Sequence, residues 1–181
     1  GDMPDLEVLE NPKTNLASEV ISSDGKTLGK YYFNDNRTPV TFEELPSHLV
    51  DALIATEDIR FYSHSGIDFK RTVAAAIKLG KDGGGSTITQ QLAKLLFTGE
   101  GSRDIIERLT QKFKEYIIAV RLERHYTKNE IITQYLNLYD FGNNGDGIRS
   151  AARIYFGKEP IDLDINESAI LVGMLKNSSL Y

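Results

Sequence analysis

Hydrophobic positions that recur every three or four residues dominate the chain after residue 46 and predict a mainly α-helical domain. The first predicted helix begins at Pro46, a residue type favoured in the first helical turn, and carries Leu49, Leu53 and Ile54. Further helices are predicted from capping residues and similar apolar spacing: after Asp68, after Thr87, from Arg103 to about Arg124 with Ser102 as its cap, after Thr127, over Ile148–Phe156 and over Glu167–Leu175.

The first 45 residues follow a different pattern. A polar stretch with Pro4 and Pro12 predicts a linker. Two extended segments on either side of Asp24-Gly25 predict a small β-hairpin, because Asp-Gly favours the tight turn that joins paired strands. The chain is therefore expected to consist of residues 1–45, linker and hairpin, and residues 46–181, the helical domain.

The longest predicted helix carries two stripes of side chains. An apolar stripe, typical of a helix that buries one face, consists of Ile106, Leu109, Phe113, Ile117 and Val120. A polar stripe roughly opposite consists of Arg108, Gln111, Lys112 and Glu115. Because Lys112 and Glu115 are one turn apart, they form either an ordinary surface ion pair or a pair that faces a cleft and binds a phosphate.

Composition and charge exclude several classes of protein. The chain has no cysteine, so it forms neither disulfides nor thiolate metal sites. A net charge of −5 argues against a general nucleic-acid binder. No apolar run approaches the roughly 18–20 residues of a membrane-spanning helix. The start at Gly1 and the end at Tyr181 lead us to expect a trimmed piece of a longer protein.

A glycine-rich segment carries the most specific chemical signal. Three glycines lead into hydroxyl and amide side chains and then into a helical pattern, in the order Gly83-Gly84-Gly85-Ser86-Thr87-Ile88-Thr89-Gln90-Gln91. A helix that begins at Ser86 or Thr87 would present free N–H groups suited to an anion such as phosphate. An ordinary capped loop fits the same residues, so the segment alone leaves both interpretations open.

Ionisable residues cluster at the end of the first predicted helix. Glu57 and Asp58 are adjacent and must point in different directions, so one can face a cleft while the other makes structural bonds. A carboxylate near Phe61 could be partly desolvated and act as a general base. A solvated helix end with aromatic packing is the alternative, and His64 alone is better explained as a structural hydrogen-bonding residue.

Five segments follow one another along the chain in a specific order. They are Glu57-Asp58-x-x-Phe61-x-x-His64-x-Gly66; Gly85-Ser86-Thr87-Ile88-Thr89-Gln90-Gln91 with Lys94 beyond; Lys112-x-x-Glu115; Tyr135-Leu136-Asn137 with Phe141-Gly142 and Gly147 through Ala151-Ala152; and Glu167-x-Ala169-x-Leu171-x-Gly173. In this order they resemble the motifs of the peptidoglycan glycosyltransferase domain (glycosyltransferase family 51) of class A penicillin-binding proteins and their monofunctional relatives. Three positions depart from the family pattern: Gln111 where arginine is usual, and Asp140 and Asp146 where aromatic residues are common.

The resemblance implies a fold and a reaction. The fold is a lysozyme-like, two-lobed helical domain whose smaller lobe touches the membrane. The reaction is polymerisation of lipid II into β-1,4 glycan strands with inversion, which releases undecaprenyl pyrophosphate. Glu57 would be the general base, and Glu115 the second catalytic residue, which orients Lys112 or holds a divalent ion, Mg²⁺ or Mn²⁺. No organic cofactor is implied.

The remaining site residues are also carried over from the resemblance. Residues implied to bind substrate or to shape its site are Asp58, His64, Ser86, Thr87, Thr89, Gln90, Gln91, Lys94 and Lys112. The implied partners are lipid II, the growing glycan strand and the membrane surface, with no nucleic acid. The family also implies an N-terminal membrane anchor, in some members a C-terminal transpeptidase domain, and a location on the outer, periplasmic face of the bacterial inner membrane.

Two other functions stay open at this point. A lysozyme-like lytic enzyme would also use a glutamate in a cleft, but cleavage of finished glycan needs no pyrophosphate site, so the glycine-rich segment and Lys112 argue against it. A catalytically weak lipid II-binding domain is the other alternative. Its only hint in the sequence is Gln111, which removes one cation from the expected phosphate site.

Overall fold

The computed structural model describes most of the chain after residue 38. The described residues are 18–21, 27–31, 39–77, 85–98 and 104–178. They contain seven α-helices: α1 (Ser47–Glu57), α2 (Phe69–Ile77), α3 (Ile88–Ala93), α4 (Ile105–His125), α5 (Lys128–Leu138), α6 (Gly147–Phe156) and α7 (Ile165–Ser178). Short helical turns lie at Phe42–Glu44, Phe61–Ser63 and Pro160–Asp162, and a π-helical turn, Lys94–Thr98, directly follows α3. The prediction of a mainly α-helical domain is confirmed.

Two short strands lie N-terminal to the helices. Strand β1 (Ser18–Ile21) pairs antiparallel with β2 (Thr27–Tyr31), with Ser18 opposite Tyr31 and an irregularity in register between Val20 and Ile21. The predicted Asp24-Gly25 turn lies outside the described residues. The hairpin turn and the linker therefore stay predictions. Gly83 and Gly84 of the glycine-rich segment also lie outside the described residues.

Several helix starts were predicted from local capping chemistry. Asp68 accepts a hydrogen bond from the Arg71 amide (3.0 Å) at the start of α2, as predicted. Thr127 and Glu130 form the predicted reciprocal capping box of α5. The expected cap of α4 was wrong: the helix begins one residue after Asp104, whose carboxylate accepts from the Ile106 amide, whereas Ser102 lies outside the described residues.

The hydrophobic core is formed by side chains of α1, α3, α4, α5, α6 and α7; α1 packs against α7, and α3 packs against α4 and α5. Its largest fully buried side chains include Tyr135 and Phe61, and each buried side chain of this size contributes about 1.5–3 kcal/mol. The core also includes Val40, whose backbone N–H and C=O both bond to the Asn137 amide at 2.9 Å. Packing of the helical part therefore begins about six residues before the boundary expected at residue 46.

Helix α4 packs with the opposite face from the one its apolar pattern indicates. Ile106 and Phe113, in the apolar stripe, are 73% and 66% exposed. The buried face of the helix consists of Glu115, Ile118, Ala119 and Leu122. Small Ala119 lets the chain at Gly66 approach the α4 backbone closely. The expectation that the stripe is the packing face is therefore corrected, and α4 instead turns Glu115 toward the interior.

Candidate functional site

Glu57 is the last residue of α1 and lies beside the start of α3. Its carboxylate Oε2 accepts a hydrogen bond from Gln91 Nε2 at 2.9 Å, and its backbone carbonyl accepts one from the Arg71 guanidinium. Its other oxygen, Oε1, makes no hydrogen bond to any residue that the structure describes. Half-buried but accessible, this carboxylate is anchored on one side and open on the other, as a base requires.

Asp58 turns in the opposite direction and is fully buried. Its carboxylate accepts bonds from His64 Nε2 at 3.0 and 3.1 Å and from the Ile88 backbone N–H at 3.1 Å. The Gly66 amide donates to His64 Nδ1 at 3.2 Å, so the imidazole proton lies on Nε2, toward Asp58. Asp58 and His64 therefore connect the turn after α1 to the first residue of α3.

Three residues of the glycine-rich segment are buried and bonded within the protein. Thr87 Oγ1 donates to the Gly66 carbonyl at 2.7 Å and accepts from the Gln90 amide, which caps α3. Thr89 Oγ1 donates to Glu123 Oε1 at 2.6 Å. Gln90 Oε1 accepts from the Thr87 amide at 3.1 Å, and Gln90 Nε2 is buried without a partner in the part of the chain described. These internal bonds hold the three buried side chains in place. That they bind substrate stays a prediction.

Ser86, in the same segment, and Lys112, on α4, form an accessible polar pair. Lys112 Nζ donates to Ser86 Oγ at 2.7 Å and to Glu115 Oε2 at 2.6 Å, and it lies 5.7 Å from the centre of the Tyr116 ring. The Lys112 side chain is 37% exposed, whereas that of Glu115 is 9% exposed. The pair is therefore not an ordinary surface ion pair: a buried carboxylate orients an ammonium group that still reaches solvent.

Lys94 and Gln91 complete the set of predicted residues. Gln91 Oε1 accepts from Tyr135 and Gln91 Nε2 donates to Glu57, so its amide is half-buried between a core residue and the proposed base. Lys94 is exposed at the beginning of the π-helical turn, one helical turn beyond Gln91. A π-helical turn widens the helix locally and often occurs at functional sites.

Tyr135 belongs to one of the five sequence motifs, but the sequence indicates no role for its hydroxyl. Tyr135 is fully buried, and its hydroxyl donates to Gln91 Oε1 at 2.9 Å. Burial, with a smaller contribution from the charge of Glu57, raises the pKa of Tyr135 well above its ordinary value. The same causes raise the pKa of the neighbouring Tyr139 to about 12. No local signal identifies the role of Tyr135, because its partner is 44 residues away in sequence.

A second network missed by the sequence analysis supports the site from α5. Lys128 Nζ donates to Glu123 at 2.7 Å and to the His64 carbonyl at 2.7 Å, and lies 4.3 Å from the centre of the Phe61 ring. A lysine in the first turn of a helix opposes the helix dipole. That unfavourable position was the one signal in the sequence that Lys128 has a specific partner.

A pocket of about 480 Å³ opens beside His64, between α2 and α4. Its walls include Arg60, Asp68, Phe69 and Val120. Arg60 donates to both carboxylate oxygens of Asp68, at 2.7 and 3.0 Å. This bond, together with the Arg71 amide, lowers the pKa of Asp68. Arg60 and Asp68 therefore neutralise each other in the pocket wall, and Lys70 contributes a further positive charge to it.

The described residues do not fit a resident divalent ion at Glu115. Its Oε2 is 2.6 Å from the Lys112 ammonium, a positive charge that opposes a second cation there. No group of three side chains of the types that hold metals comes together within the described ranges. The divalent ion stays a prediction of the resemblance, and we derive no step through it.

Comparison with known proteins identifies the family. The sequence model of the transglycosylase family matches residues 24–181. Over 99% of its length the chain is 38% identical to penicillin-binding protein 1A of Pseudomonas aeruginosa and 37% identical to that of Escherichia coli, of which it covers 22% and 21%. It is 40% identical to penicillin-binding protein 1F of Bacillus subtilis over 92% of the chain and 23% of that protein.

The chain thus spans between a fifth and a quarter of the length of these relatives. None of the helices in the described ranges combines the length and the apolar character that crossing a membrane requires. The family match covers the segments that carry Glu57, Gln91 and Lys112, whose geometry is given above. The chain belongs to the transglycosylase family.

Proposed function

We propose that this chain is a peptidoglycan glycosyltransferase that polymerises lipid II into β-1,4 glycan strands and releases undecaprenyl pyrophosphate. One observation carries the proposal. The short segment Ser86–Gln91 bonds at one end to an exposed cation, Lys112, and at the other to the carboxylate of Glu57, whose Oε1 makes no hydrogen bond within the described part of the chain. A base and a cation on the two sides of one rigid segment suit transfer of a sugar from a pyrophosphate.

Glu57 is the general base of this reaction. Its Oε1 takes the proton from the 4-hydroxyl of the acceptor GlcNAc as that oxygen attacks the anomeric carbon of the donor MurNAc. Attack from the face opposite the pyrophosphate inverts the anomeric centre and gives the β-linkage. Base catalysis of this kind accelerates a reaction by about 10²–10⁴-fold.

Lys112 stabilises the charge that develops on the leaving pyrophosphate. Glu115 is almost fully buried and holds the ammonium in place, so the charge needs little reorganisation during the reaction. Ser86 bonds to the same ammonium and is half-buried, so it lies where a phosphate or sugar oxygen would bind. Lys94 adds a second exposed cation on the side of Gln91.

The exposed apolar stripe of α4 supports a contact with the membrane surface. Ile106, Leu109, Phe113 and Ile117 are all exposed on one face, and Phe69 and Val73 of α2 are exposed as well. Soluble surfaces rarely keep so many large apolar side chains together unless they bind a partner. We assign this surface to the smaller lobe of a two-lobed, lysozyme-like fold, on the outer face of the bacterial inner membrane where the lipid-linked substrate lies.

The whole protein is proposed to carry more than this chain. The named relatives are penicillin-binding proteins several times its length. We therefore propose an N-terminal membrane anchor and a transpeptidase domain in the parent protein.

The test is polymerisation of lipid II by the Glu57→Gln variant. We expect loss of polymer with an unchanged melting temperature, because the amide keeps the shape of the carboxylate but cannot accept the proton. Asp51→Asn, an exposed change on the same helix, is the control and should keep full activity. Polymer formation at the normal rate by Glu57→Gln refutes the proposal. Cleavage of purified glycan in place of polymerisation would indicate the lytic alternative, and binding of lipid II without turnover the weak binding domain.

A further inference from the structure

The hydroxyl of Tyr135 reaches the proposed base from inside the core, through one intermediate side chain. Tyr135 donates to Gln91 Oε1 at 2.9 Å, and Gln91 Nε2 donates to Glu57 Oε2 at 2.9 Å. We propose that Tyr135 is a positioning residue: it orients the Gln91 amide, which in turn fixes the carboxylate of Glu57. This role rests on the proposed function, in which Glu57 is the base.

The Gln91 amide accepts a hydrogen bond at Oε1 and donates one at Nε2, so the two bonds together require one orientation of the amide. A glutamine side chain has an acceptor and a donor end of nearly equal size, so it can turn over without a change in packing. In the reversed orientation the carbonyl oxygen of Gln91 would face the carboxylate of Glu57, and two acceptors would meet. A phenol hydroxyl that donates to Oε1 stabilises the orientation in which the N–H group faces Glu57.

Tyr135 is suited to act as a permanent donor. Its ring is fully buried and packs 5.7 Å from the ring of Tyr139 one turn along α5, so its hydroxyl has little freedom to move. Burial keeps the hydroxyl protonated, since the pKa of Tyr135 is raised well above its ordinary value. Tyr135 therefore stays a hydrogen-bond donor to Gln91 over the pH range in which ordinary tyrosine hydroxyls are protonated.

The two carboxylate oxygens of Glu57 therefore have different roles. Oε2 is held by Gln91, and Oε1 makes no hydrogen bond to the residues described, so it is left to take the proton of the acceptor hydroxyl. A carboxylate held at one oxygen presents the other in a single direction. Positioning of this kind affects the chemical step more than the binding of substrate.

The experiment compares Tyr135→Phe with Tyr139→Phe in the 181-residue chain, with detergent-solubilised lipid II as substrate. Tyr139 is a matched control: it is buried one residue beyond the end of the same helix, and its hydroxyl donates to the Leu175 carbonyl at 3.1 Å and not to Gln91. Both changes remove one buried hydrogen bond, so both should lower the melting temperature to a similar extent. Only Tyr135→Phe should lower kcat, by about two- to tenfold, with KM unchanged.

A double-mutant cycle tests whether Tyr135 acts through Gln91. Gln91→Met removes both hydrogen bonds and keeps the length of the side chain. In that background Tyr135→Phe should cause no further loss of kcat, because the group it orients is gone.

Either of two results overturns the proposal. In one, Tyr135→Phe and Tyr139→Phe have the same effect on kcat. In the other, Tyr135→Phe lowers kcat equally with and without Gln91. Glu57→Gln, measured in parallel, separates the two proposals: if that variant is inactive while Tyr135→Phe has the kcat of Tyr139→Phe, the positioning role fails and the proposed function stands. Normal activity of Glu57→Gln would refute both.

Discussion

Gly66 lies at the closest approach between the turn after α1 and the backbone of α4. Its φ angle is +91°, in the region that favours glycine. A Cβ atom added there would lie 2.8 Å from both the carbonyl carbon and the carbonyl oxygen of Ala119, and 3.1 Å from the Val120 nitrogen. All three atoms belong to the backbone of a long helix, so no flexible side chain can move aside. We predict that Gly66→Ala displaces α4, with Lys112 and Glu115 on it, from the start of α3.

The expected cost has two parts. A residue with a side chain in a left-handed conformation costs about 1–2 kcal/mol, and overpacking of a well-packed site costs about 1–3 kcal/mol. Their sum, about 2–5 kcal/mol, is a large share of the roughly 5–15 kcal/mol by which domains are stable. At about 2–4 °C per kcal/mol for a chain of this size, the melting temperature should fall by about 4–20 °C.

The assay is thermal unfolding followed by circular dichroism, with two other glycines as controls. Gly157, after α6, also has a positive φ (+66°), but a Cβ there would meet nothing within 4 Å, so Gly157→Ala should cost only the conformational term, about 1–2 kcal/mol. Gly173, inside α7, is equally open, and Gly173→Ala should stabilise the helix by about 0.5–1 kcal/mol. If Gly66→Ala costs no more than Gly157→Ala, the contact with Ala119 does not constrain α4 and the reasoning is refuted.

Three further predictions concern the charges and the exposed face. Lys112→Ala should weaken binding of the phosphoglycolipid moenomycin, measured by fluorescence anisotropy, by at least about tenfold, because it removes a charge-assisted contact worth about 1.5–3 kcal/mol. Asp68→Asn should make stability less dependent on pH below about pH 4. Its native pKa is lowered by Arg60, so the stabilisation is present above the unfolded pKa and is lost as pH falls through the native one. Phe113→Asp should reduce binding to phospholipid vesicles and change the free energy of unfolding by no more than about 0.5 kcal/mol, because the side chain is exposed.

Each of these predictions has a control in the chain. Lys114→Ala removes an exposed charge from the same helix and should leave moenomycin binding unchanged. Asp162→Asn changes an exposed carboxylate and should keep the original pH dependence of unfolding. Ile161→Asp places the same charge at an exposed apolar residue outside α4 and should leave vesicle binding intact. A variant and its control that behave alike would contradict the corresponding prediction.

The sequence predicted best those features that depend on neighbours within a few residues. The capping box of Thr127 and Glu130 and the cap at Asp68 involve partners three residues apart, and both are found. The apolar stripe of α4 was read correctly as a stripe and wrongly as a packing face. Periodicity shows that a helix has two unlike faces, but which one is covered depends on distant segments such as Gly66, whose backbone rests on Ala119.

Burial of the predicted site residues also depends on distant segments, so the sequence does not show which of them are accessible and which are buried. Hydroxyl and amide side chains have the same chemistry whether they bind a sugar or another part of the protein, so the sequence could not separate half-buried Ser86 from fully buried Thr89. Because Thr89 donates to Glu123, which also holds Lys128, loss of activity in a Thr89 variant would report a displaced helix and not a missing substrate contact. Such a variant should therefore lose stability along with kcat, whereas a variant of Ser86 should change KM at constant stability. The segment from Ser86 to Lys94 thus combines accessible side chains, which we propose meet the substrate, with buried side chains that hold them in place.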